Sequence, residues 1–193
     1  MNPLGRRTRA ALRRIQRRIE RYYGLEGAPD VALFASAGTE GEREVLLVRD
    51  GGQAVEMALR VPDGAPRAGA NDEWLQLLEG VSHFVFLAER VRTGLPSTQL
   101  ELELQAEVDK FVLLALDAEG RADPQLLHRR IFEQATFLDP PHTEAGERYR
   151  LANRLAARLA ARLTGRGEGE VRALLRRFYR AGQAEKIALA QAA

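Results

Sequence analysis

Residues 98–116 read TQLELELQAEVDKFVLLAL. As a strand, this stretch would set Leu100, Leu102 and Leu104 against Glu101 and Glu103. As a helix, it places Leu100, Leu104, Val108, Phe111 and Ala115 on one face. Thr98 followed three residues later by Glu101 is a capping box, and Glu and Gln fit a pleated surface poorly. The segment is therefore expected to be a helix, and with it almost everything after residue 70 reads as helical.

Before it, Trp74, Leu77, Leu78, Val81, Phe84, Val85, Ala88 and Val91 recur at helical spacing from an Asn71 cap. Phe86 and Leu87 widen the apolar surface until the middle of that helix is hydrophobic nearly all round, as in a buried central helix. Gly94 and Pro96 end it. After residue 116, a third helix is expected from Asp123-Pro124 to about Leu138, closed by Pro140-Pro141. A fourth should run from Thr143 to Leu163 and a fifth from Glu168 to Ala181, with a further helical stretch in 183–193.

The N-terminal third differs. Leu12, Ile15, Ile19 and Tyr22 form one narrow stripe on a helix from about Arg6 to Tyr23, ended by Gly24. Val31–Ser36, Glu44–Arg49 and Ala54–Val61 suggest three short strands, the last two joined at Asp50-Gly51-Gly52, where Asp-Gly favours a tight hairpin turn. In the last strand Val55, Met57, Leu59 and Val61 alternate with Glu56, Ala58 and Arg60, giving one buried and one wet face. Residues 62–69, PDGAPRAG, are expected to be a loop. The expected architecture is α+β and predominantly α-helical. A basic helix and small antiparallel meander (1–69) would pack with a bundle of about five helices (70–193) in one continuous globular unit.

Composition narrows function mostly by exclusion. The 193 residues contain no cysteine, which removes disulfides, thiolate metal sites and cysteine nucleophiles. No phosphate-binding lysine loop exists, Gly165-Arg166-Gly167-Glu168-Gly169 reads as a turn, and the three serines, Ser36, Ser82 and Ser97, stand in no G-x-S-x-G motif. No stretch is long and apolar enough to span a membrane, and no apolar region follows the basic N-terminal segment. A cytoplasmic protein without a cofactor is expected, more readily a binding protein than an enzyme.

The formal net charge of +2 hides a strong partition. Residues 1–23 carry a net +7, residues 24–147 a net −13 and residues 148–180 a net +8. Arginine accounts for 27 of the 29 basic residues, which a codon bias explains without any ligand. On the first helix Arg13, Arg17 and Arg21 stand at i+4 spacing with Arg14 and Arg18 beside them. On the fourth, Arg150, Arg154, Arg158 and Arg162 form a ladder, while Ala152, Ala156, Ala157, Ala160 and Ala161 keep the helix thin and Leu155, Leu159 and Leu163 supply a packing face. Each like-charge pair at i+4 costs about 0.2–0.5 kcal/mol in an isolated helix.

Three readings compete for this arginine. The charge is neutralised within the fold or an oligomer by the acidic middle, where Glu101, Glu103, Glu107 and Asp109 share a helix. Alternatively it binds the phosphate backbone of nucleic acid. Or the first helix lies on an anionic membrane or an acidic partner, although its apolar face is narrow for insertion. The leading expectation is a non-enzymatic adaptor or scaffold that meets a protein partner or a second copy through opposed charged surfaces, with nucleic-acid binding as the alternative. A metal-dependent helical-bundle enzyme ranks last. Glu79 and His83 share a helix face, and Glu107 and His128 could converge with them, but the Glu-x-x-His spacing of carboxylate-bridged bundles is absent, and Glu133, five residues past His128, falls off its face in an ordinary helix.

Overall fold

The computed structural model describes residues 4–39, 43–52, 55–62, 72–116 and 123–192. By its internal contacts the chain forms two compact units, Met1–Arg21 with Leu25–Leu95, and Tyr22–Gly24 with Pro96–Ala193. The fold is α+β and mostly helical, as the periodicities predict. The division falls at Leu95–Pro96, after a long helix that packs on the sheet. The expected Asn71 cap, Gln53–Ala54 of the hairpin connection and residues 63–69 of the loop lie outside the described residues.

In the first unit, α1 (Arg6–Tyr23) buries Leu12, Ile15 and Ile19 completely. Gly24 ends it with φ +64°, a conformation only glycine adopts without strain, and Leu25 N–H donates back to the Glu20 carbonyl at 2.9 Å. Next come α2 (Val31–Phe34), β1 (Ala35–Ala37), β2 (Val45–Asp50), β3 (Val55–Val61) and α3 (Asp72–Thr93). The hairpin β2–β3 is antiparallel with Leu47 opposite Ala58, and the expected alternation holds on β3, where Leu59 and Val61 are buried while Glu56 and Arg60 are exposed.

Residues 31–36 correct the expectation. Asp30 accepts from Ala32 N–H at 3.0 Å and starts one helical turn, so the strand shrinks to Ala35–Ala37. That strand lies parallel to β3, and the sheet is mixed, in the order β1-β3-β2, instead of an antiparallel meander. Helix α3 packs on β2 and β3. It buries Trp74, Leu77, Leu78, Val81 and Phe84 to Ala88, and only its end departs from the expected pattern, with Val91 exposed.

In the second unit, α4 (Gln99–Phe111) settles the ambiguous stretch as helix. Thr98 Oγ1 accepts from Glu101 N–H, and the Glu101 carboxylate accepts from Thr98 N–H at 2.9 Å. The helix then widens into a π-helical turn, Val112–Leu116. Helix α5 (Pro124–His128) starts on an Asp123 cap and also widens into a π-turn, Arg129–Glu133. It stops there instead of reaching Leu138: Gln134 N–H closes the turn on the Arg129 carbonyl, and Leu138 stands exposed. Helices α6 (Glu144–Leu163), α7 (Glu168–Arg180) and α8 (Gln183–Gln191) complete the unit. Helix α6 packs along α4, and its buried Ala152, Ala156 and Ala160, one turn apart, permit a close approach. Leu155, Leu159 and Leu163 fill the remaining contact, as their spacing predicts.

Candidate functional site

The arginines divide by helix geometry. At 100° per residue, Arg6, Arg17, Ala10, Arg21, Arg14 and Arg7 follow one another around α1 and span about 100°, with Arg13, Glu20 and Arg9 next beyond Arg6. The complementary arc holds Leu4, Thr8, Leu12, Ile15, Ile19 and Tyr23, all buried. The outward band therefore exposes Arg6, Arg7, Arg14, Arg17 and Arg21 with no acidic residue between them around the helix, while half-buried Glu20 separates it from exposed Arg9.

Arg13, on the edge of this band, is committed within the fold. Its Nε donates to Asp30 Oδ2 at 2.9 Å and Nη2 lies 2.8 Å from the same oxygen. The Asp30 pKa is lowered, chiefly by that hydrogen bond. One turn on, Gln16 donates to the Glu20 carboxylate at 2.7 Å and to the Pro29 carbonyl at 3.0 Å, and accepts from Val31 N–H. Arg13 and Gln16 thus hold the 29–31 segment to α1. Arg18 is half-buried at the other margin.

The α6 ladder splits in the same way. Arg150 Nη1 donates to the carbonyls of Asp139 (3.0 Å) and Gly146 (2.9 Å), and its guanidinium lies 4.7 Å from the centre of the Phe137 ring. Arg162 donates to the Leu189 carbonyl and so ties α6 to α8. Only Arg154 and Arg158 are exposed. The ends of the ladder are structural, and the i+4 spacing alone does not reveal it.

The acidic side chains of α4 turn inward. Glu101, Glu103 and Asp109 are buried. Glu101 closes the capping box, Glu107 pairs with Lys110 at 2.7 Å, and Asp109 accepts from Tyr23 and Gln105.

Among the weak metal candidates, Glu79 and His83 lie one turn apart on α3 in the first unit. Glu107 and His128 belong to the second, and each is engaged locally: Glu107 by Lys110, and His128 by the Ala157 carbonyl, 3.0 Å from its Nε2. Glu133 corrects the expectation, since it reaches 3.4 Å from His128 Nδ1. The π-turn over 129–133 brings residue i+5 above residue i, where an α-helix would carry it away.

One cluster has no counterpart in the sequence reading. Tyr23, Gln105, Asp109 and Lys186 are closed to solvent, none more than 1% exposed. Tyr23 donates its phenol proton to Asp109, and Gln105 Nε2 donates to Asp109 (2.9 Å) and to Tyr23 Oη (3.1 Å). Lys186 Nζ donates to Gln105 Oε1 at 2.6 Å and sits 4.1 Å from the centre of the Phe178 ring, while Tyr23 stacks on Tyr179 at 4.3 Å. The Tyr23 pKa is raised well above its ordinary 10, first by burial and next by the Asp109 charge. Closed to solvent as it is, the cluster fixes α8 on α4 and serves as structure. One signal could have found it: Lys110 and Lys186 are the only lysines in the chain, and both are buried.

No protein-family model matches the chain, and neither a curated protein nor a solved structure shows significant similarity to it.

Proposed function

We propose that this chain is a non-enzymatic interaction protein that docks on an anionic partner through the outward face of α1. One observation carries the reading: five arginines, Arg6, Arg7, Arg14, Arg17 and Arg21, occupy a single exposed band with no carboxylate in it. Like charges this dense repel one another, so an anionic surface that covers them lowers the free energy of both sides and releases bound counterions. The other readings draw less support. Glu101, Glu103 and Asp109 of the acidic helix α4 are buried and offer no charged surface. The apolar stripe of α1 is occupied in the fold, which leaves it nothing to insert into a membrane.

Heparin-affinity chromatography tests the proposal with a generic polyanion. The wild-type chain should be retained and elute only at raised salt. A variant carrying Arg9→Glu, Arg17→Glu and Arg21→Glu, with unchanged circular dichroism, should pass through at low salt. Elution of both at the same low salt would refute the docking role.

A further inference from the structure

We infer that the anionic partner is the phosphate backbone of duplex nucleic acid, bound without sequence preference; this rests on the docking role of α1 proposed above. The first support is spacing. From Arg6 to Arg21 the helix rises about 22 Å, at about 1.5 Å per residue. Five exposed guanidinium groups over that length amount to about one per 4.5 Å. One strand of duplex DNA offers a phosphate about every 3.4 Å of helix axis, so one face of α1 is dense enough in charge to face several successive phosphates. An acidic protein surface would have to line up carboxylates at the same density to compete, against their own repulsion.

The second support is what the band lacks. Between its arginines stands only Ala10, and no aromatic side chain interrupts them, so it has no platform on which an unpaired base could stack. It has no Asn, Gln, Ser or Thr, and its arginines can read only guanine among the base edges, so its contacts are expected to fall mainly on phosphates and to position the chain more than they specify a sequence. The preference for arginine over lysine carries no weight here, because the chain uses arginine almost everywhere. One-sidedness and density carry it.

Fluorescence anisotropy with labelled duplexes of roughly two helical turns tests this. Two unrelated sequences should bind equally. With about four to six phosphates neutralised, affinity should fall about 10²- to 10³-fold between about 50 and about 200 mM salt. The Arg9→Glu/Arg17→Glu/Arg21→Glu variant should lose binding, and the Arg154→Glu/Arg158→Glu variant on α6 should retain most of it. Tighter binding to a single strand than to its duplex would overturn the inference. So would duplex binding that survives the α1 substitutions. Retention on heparin or on polyglutamate with no duplex binding at low salt would overturn it while leaving the docking role of α1 standing. Failure on every polyanion would remove both.

Discussion

Replacing Lys186 with methionine isolates the energetics of the buried cluster in the second unit. Methionine keeps most of the side-chain length and apolar volume and removes the amino group. Among the contacts that go with it are the 2.6 Å hydrogen bond to Gln105 Oε1 and the approaches to the Phe178 and Tyr179 rings at 4.1 and 5.9 Å. A hydrogen bond to a charged group contributes about 1.5–3 kcal/mol and a desolvated cation–π contact about 2 kcal/mol. Opposing them is the cost of holding an ammonium away from water, which is several kcal/mol and which methionine abolishes. The balance is decided by what remains. Gln105 Oε1 is left buried without its donor, at about 1–3 kcal/mol, and the Asp109 charge stays in the interior beside a neutral side chain. The net loss should be about 2–4 kcal/mol, equivalent to a fall in Tm of roughly 5–15 °C. Urea unfolding followed by far-ultraviolet circular dichroism measures it, for Lys186→Met, Gln105→Met and the double variant. The cycle should return a coupling of about 1.5–3 kcal/mol between the two side chains. A Lys186→Met chain as stable as the wild type, or a coupling below about 0.5 kcal/mol, would show that desolvation outweighs the network and would refute the reasoning.

Two further perturbations probe the same unit. The folded chain holds the Tyr23 proton that an unfolded chain releases near pH 10, so the contribution of this residue is complete below about pH 10. Above that pH, stability should fall with an extra slope of up to about 1.4 kcal/mol per pH unit, which Tyr23→Phe removes while lowering stability at neutral pH; parallel alkaline unfolding curves for the two chains would contradict this. Gly146→Ala should reverse the usual gain of about 0.5–1 kcal/mol from alanine in a helix, because a Cβ at 146 would fall inside van der Waals contact of the Pro140 carbonyl oxygen, where the Thr143 cap and Arg150 also converge. A net loss of at least about 1 kcal/mol in urea unfolding is expected, and a stabilised variant would show that no such close approach exists.

Local chemistry alone determined much of this protein. Thr98 and Glu101 decide a helix where the leucine alternation suggests a strand, because both capping partners lie within one turn. The stripe Leu12, Ile15 and Ile19 divides α1 into a buried arc and an arginine band, because the helical period fixes which residues share a face. What depended on the tertiary structure is every outcome that joins residues far apart in the chain. The direction of β1 is set by its partner β3, about 24 residues away, and three residues carry no pattern that fixes it. Glu133 reaches His128 because the helix widens by one residue per turn there, and composition does not announce a π-turn. Arg154 and Arg158 look no different in sequence from Arg150 and Arg162, yet only the latter two meet distant carbonyls, from 139 and 189. The cluster of Tyr23, Gln105, Asp109 and Lys186 gathers residues up to 163 positions apart. Helical periodicity is short-ranged, and so is legible along the chain. A partner for a charge in the interior is found only once the chain has folded back on itself.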